Sequence, residues 1–181
     1  MLVESLLFVS AASATVASVS KNSRVARFGL GFFCLFSSLA IYARGETTSA
    51  MVYLVTVGIV LAGFVACLEA KSNMKASHDE SQIRMSVLPV LCMIGAFITT
   101  YLASRNFNLS ISLSIAFVAT VAITSRNLVR IIIGLVTLES AALLVLAEMG
   151  RFTAISSIPI CLLMLASSVG LPYALSHRFL K

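Results

Sequence analysis

Charge is the scarcest feature of this chain. Only 11% of its 181 residues are Asp, Glu, Lys or Arg, while 59% are hydrophobic. Ordinary soluble domains carry about 25% charged residues. With a mean hydropathy of +1.02, the composition excludes a soluble globular domain and indicates a chain surrounded by lipid. The formal net charge of +6 is read accordingly. Basic residues of membrane proteins mark cytoplasmic loops, so the excess is not a nucleic-acid footprint.

Other absences narrow the chemistry. Cys34, Cys67, Cys92 and Cys161 are far apart, each in an apolar run, and no CxxC occurs. A zinc or iron–sulfur site therefore has no ligand set, and the cysteines read as small buried hydrophobes. His78 and His177 stand in polar flanks and read as solvated loop residues. No phosphate-binding loop, nucleophile triad, glycine-rich cofactor turn or haem-attachment motif appears. The expectation is a chain with no catalytic site and no cofactor of its own.

What is present is a succession of long apolar runs. A membrane-spanning helix needs about 17–25 mostly apolar residues. Seven candidates lie at roughly 2–20, 27–43, 48–69, 85–103, 109–125, 128–148 and 153–176. "KNSRVAR", "RGETT", "EAKSNMKASHDESQIR", "SRNFN", "TSRNLVR" and "GRFT" separate them. No alternating barrel pattern occurs, and open backbone is not tolerated in lipid, so the spans must be helical. The fold class expected is an all-α polytopic membrane protein. The first run, "MLVESLLFVSAASATVASVS", resembles a secretory signal but carries Glu4 where a positive region belongs, so it is read as a helix of the mature protein. Small residues in the first and seventh runs, "SAASATVASVS" and "LASSVG", suit close helix packing. Pro159 and Pro172 should bend the seventh helix.

Loop charges set the orientation. The first, third and fifth loops and the C-terminal tail hold ten basic residues: Lys21, Arg24, Arg27, Lys71, Lys75, Arg84, Arg126, Arg130, Arg178 and Lys181. The other loops hold only Arg44, Arg105 and Arg151. This bias predicts an external N-terminus and a cytoplasmic C-terminus.

Of the seven acids, six lie in loops or near helix ends. Glu139 alone falls near the centre of a span, within "TSRNLVRIIIGLVTLESAALLVLAE" at 124–148. Placing an acid at that depth costs roughly 2.5–3.5 kcal/mol, and desolvation favours its neutral form. A carboxyl poised in this way can take up and release a proton as its surroundings change. Glu139 is therefore the candidate proton relay, with Thr137 and Ser140 as supporting polar groups. No lysine lies inside any span, so no intramembrane Lys–Glu pair forms within the chain.

The run "SRNLVRIIIGLVTLES" at 125–140 resembles the second helix of the K subunit of complex I and of the C subunit of Mrp-type antiporters. Arg126, Asn127, Leu128, Gly134 and Leu135 match that pattern, and Arg126, Asn127 and Arg130 form its cytoplasmic motif here. The family's acid falls at the position of Val136, three residues before Glu139. Three residues turn a helix by about 300° and advance it about 4.5 Å, which keeps the carboxyl near the same face, about one turn deeper. The spacing from Gly134 to Glu139 is similar to that of hydrogenase-4 component E, with Ser140 where that family has Asn. The layout also resembles component E: a four-helix N-terminal part, 1–104, precedes a K-like three-helix part, 105–181. The family's third K-like helix usually carries a second acid, and "ISSIPICLLMLASSVGLPYALS" has none.

The resemblance implies a non-catalytic subunit in the membrane arm of a complex I-like assembly, of the group 4 [NiFe]-hydrogenase or formate hydrogenlyase type, in the cell's inner membrane. Its implied partners are antiporter-like membrane subunits and a peripheral redox arm. Nickel–iron and iron–sulfur centres belong to those partners. The residues taken alone leave two other readings open: a self-sufficient small secondary transporter, and a purely structural membrane linker.

Overall fold

The computed structural model describes residues 1–20, 23–58, 87–124, 128–150, 158–159, 161–163 and 166. Every regular element among them is a helix. In chain order these are α1 (Leu2–Val19), α2 (Ser23–Tyr42), α3 (Thr47–Gly58), α4 (Val87–Ser104), α5 (Phe107–Ile123) and α6 (Leu128–Glu148). Residues 158–159, 161–163 and 166 are helical as well. Leu2–Val19, Val25–Tyr42 and Arg130–Glu148 are long and apolar enough to cross a membrane; Thr47–Gly58, Val90–Ser104 and Phe107–Ile123 are shorter apolar stretches.

Two helix starts differ from the sequence expectation. The α2 helix begins at Ser23, inside the stretch read as a polar loop, because polarity marks where lipid ends and not where a helix must. The α5 helix begins two residues early, at Phe107, because Asn106 caps it: its Oδ1 accepts from the Leu109 N–H at 3.2 Å. The α4–α5 connection is then only Arg105 and Asn106. Arg105 takes the left-handed conformation at φ 52°, and the Asn106 N–H donates to Ser104 Oγ at 3.2 Å. The long connection at 69–84 and most of the seventh run, including Pro172, lie outside the described residues.

The main packing pairs are α1 with α2 and α5 with α6; α5 also packs on α1 and α4. Glycine and alanine permit the close approaches. A Cβ on Gly29 would stand 2.8 Å from the Ala17 backbone N, and one on Gly134 would stand 2.8 Å from Ala119 O and from Ile123 N. Without a hydrophobic driving force between helices in lipid, such backbone proximity is what holds a bundle together.

Contacts at the helix ends fix their relative directions. Arg130, at the start of α6, donates from Nη2 to Ser20 O at the end of α1, at 2.9 Å. A guanidinium there complements the partial negative charge of a helix C-terminus. Arg44, just past α2, forms an ion pair with Glu148 at the end of α6, with side chains only 14% and 10% exposed. Thus α6 runs antiparallel to α1 and parallel to α2.

Large apolar side chains face outward as well as inward, and the mostly apolar interior also holds hydroxyls. Phe8, Phe28, Phe32, Leu102 and Phe117 are more than half exposed, while Ser10, Ser37, Ser110, Ser112 and Thr137 are fully buried. Many interior hydroxyls bond back to their own helix. Ser114 Oγ donates to Ser110 O at 2.6 Å, Thr137 Oγ1 to Ile133 O at 2.7 Å and Ser140 Oγ to Val136 O at 2.7 Å. This pairing makes a buried hydroxyl tolerable without water.

Candidate functional site

Eleven residues separate Glu139 from the start of α6 and nine from its end. At about 1.5 Å per residue that puts the carboxyl roughly 16 Å from one end and 13 Å from the other. Its surroundings around the helix are uneven. Val136, one turn before, and Leu143, one turn after, are buried, whereas Ala142 is exposed. Glu139 therefore stands at the margin of the buried face, half-buried, with Oε2 shielded from solvent. A carboxyl at such a boundary is desolvated yet reachable from the side of the bundle.

The other sequence-predicted residues divide by position. Ser140 turns fully inward and is 1% exposed. Thr137 is also buried but stands about 200° around α6 from Glu139, and its proton is held by Ile133 O. Arg130 is engaged with Ser20 O, 110 residues away in sequence. Arg126 and Asn127 lie outside the described residues. Gly134, shared with the family pattern, has a packing reason of its own in the approach of α6 to α5.

The structure also assembles a polar cluster that no sequence motif announces. Ser10 of α1 and Ser37 of α2 share a buried hydrogen bond of 2.7 Å. Tyr53 of α3 is completely buried, with its hydroxyl beside the side chains of Ser140, Cys34 and Ser37. Four helices thus converge on one small volume, and Ser140 brings it next to Glu139 along α6. Ser38 Oγ donates to Ala50 O at 3.1 Å, tying α2 to α3 nearby. Single hydroxyls in apolar runs carry no period or spacing that would have drawn attention to them. The Arg44–Glu148 pair was also missed, although alternating helix directions place both residues at the same end.

No family model, curated protein or solved structure matches the chain. The likeness of residues 125–140 to the K-subunit pattern therefore rests on the quoted residues alone.

Proposed function

We propose that the chain is a non-catalytic subunit in the membrane arm of a complex I-like assembly of the group 4 [NiFe]-hydrogenase or formate hydrogenlyase type. In this reading it crosses the cell's inner membrane seven times, with the N-terminus outside and the C-terminus in the cytoplasm. Glu139 contributes to proton or sodium translocation driven by redox chemistry in partner subunits. Antiporter-like membrane subunits adjoin it, and a peripheral arm carries the nickel–iron and iron–sulfur centres.

The observation that carries the reading is the position of Glu139: mid-helix, desolvated on one oxygen, and at the lateral margin of α6 rather than sealed in the core. A carboxyl kept only to bridge helices within the chain has no need of that margin. A carboxyl that exchanges protons with a neighbouring subunit does. The apolar outer surface and the alternating helix directions support membrane insertion.

The orientation is tested by single cysteines at Thr47 and Ser77 in a background lacking the native cysteines. An impermeant thiol reagent added to intact cells should label position 47 and leave position 77 untouched. Labelling of position 77 from outside would reverse the assigned orientation. The function is tested with the purified chain reconstituted alone in liposomes. The proposal expects no exchange driven by a proton or sodium gradient, because the coupling groups are divided among subunits. Sustained exchange by the isolated chain would make it a secondary transporter.

A further inference from the structure

Polar ties hold α6 at both ends. Arg130 donates to Ser20 O at one end, and Glu148 pairs with Arg44 at the other. Between them, at the level of Glu139, Ser140 adjoins the buried hydroxyl of Tyr53 from α3. Ser140 has committed its own proton to Val136 O at 2.7 Å and retains the capacity to accept. Ser10 and Ser37 share one hydrogen bond of 2.7 Å, which leaves one proton between them, and Ser37 also adjoins Tyr53. Tyr53 Oη meets none of its neighbours in full hydrogen-bond geometry as the side chains stand. Native interiors rarely leave a buried donor unpaired, and a serine hydroxyl swings about a single torsion. One arrangement places every proton: Ser10 donates to Ser37, Ser37 to Tyr53, Tyr53 to Ser140, and Ser140 to Val136 O. With Tyr53 donating to Ser37 instead, one serine proton is left over, and the sulfur of Cys34 is only a weak acceptor.

We propose that Tyr53 is a positioning residue for Glu139, acting through a hydrogen bond that its hydroxyl donates directly to Ser140 Oγ. This inference rests on the Glu139 reading above. Consecutive residues of a helix stand about 100° apart. Tying Ser140 to α3 therefore fixes the direction in which Glu139 leaves α6: along the margin of the buried face, where a neighbouring subunit reaches it. Rotation of α6 one way carries the carboxyl toward the packed side of Val136 and Leu143; rotation the other way carries it outward, beside the exposed Ala142. A reacting group misplaced by about 1 Å loses much of its effect. Tyr53 keeps its own proton throughout, and Glu139 alone exchanges one.

The test joins solid-state NMR of the full chain in lipid bilayers to redox-driven ion uptake by the assembled complex in membrane vesicles. Carbon-13 is placed at tyrosine Cζ and at the glutamate side-chain carboxyl. Tyr53→Phe identifies the Tyr53 signal among those of Tyr42, Tyr53, Tyr101 and Tyr173, and Glu139→Gln identifies the Glu139 signal. Ser140→Ala should move the Tyr53 Cζ signal, because the hydroxyl loses its acceptor. Tyr53→Phe and Ser140→Ala should each move or split the Glu139 carboxyl signal and lower the ions moved per electron several-fold, with assembly on native gels unchanged. The double variant should be no worse than either single one. A Tyr53 signal unmoved by Ser140→Ala would overturn the proposal, as would a Glu139 signal and coupling unchanged in Tyr53→Phe. Failure of the Glu139 reading looks different: Glu139→Gln would then couple normally, while Ser140→Ala still moved the Tyr53 signal.

Discussion

Glu139→Gln should assemble like the unmodified chain and sharply reduce the ions moved per electron. The substitution keeps side-chain length and hydrogen-bonding ability but removes the titrating proton. Positioned proton-transfer groups contribute about 10²–10⁴ in rate, so a loss of at least about tenfold in coupled transport is expected. Glu139→Asp retains a carboxyl one methylene shorter and should be partly active. Restoring an acid one turn earlier, with Val136→Glu in the Gln background, tests whether position or mere presence matters. Val136 lies about 60° away around the helix, but it is only 2% exposed. A carboxyl there must enter packed core, where overfilling costs about 1–3 kcal/mol, so rescue should be partial at best. Redox-driven ion uptake in membrane vesicles gives the coupling, and native gels give the assembly. A purely structural Glu139 predicts another pattern: a silent Gln variant and an Ala variant that fails to assemble because a partner loses its hydrogen bond.

The second large effect belongs to Arg44 and Glu148. Their ion pair closes the end of the bundle opposite Arg130 and joins the α2–α3 connection to α6, with both side chains mostly buried. Removing one partner strands the other in a poorly solvated place, which costs about 3–5 kcal/mol for buried pairs. Arg44→Met or Glu148→Gln alone should therefore lower unfolding stability in mild detergent by about 3 kcal/mol, toward the low end of that range because some solvent reaches the pair. Replacing both by apolar residues should restore much of the loss, since neither charge is then left unpaired. Additive losses in the double variant would show that the two side chains do not depend on each other.

Much of the fold was legible in the sequence because lipid imposes one strong rule, an unbroken apolar run for each helix. The α6 helix, Leu128–Glu148, spans the run read at 128–148. The start of α2 was not legible in the same way: hydropathy reports surroundings, and a helix continues past them when its backbone bonds allow. Glu139 stood out as the one mid-span acid. The Tyr53 cluster did not, because Ser10, Ser37, Tyr53 and Ser140 come from four separated runs and meet only after the helices pack. Gly134 drew attention as part of a motif, and its nearest neighbours in the fold give it a role in packing as well.

Gentle extraction of the chain from its native membrane, followed by identification of the co-purifying proteins and their metals, tests the central claim most directly. The account predicts a stable complex containing antiporter-like membrane subunits, together with a peripheral arm that carries nickel, iron and acid-labile sulfide. Recovery of the chain as a monodisperse species without such partners, from membranes in which redox-driven ion transport is intact, would contradict it.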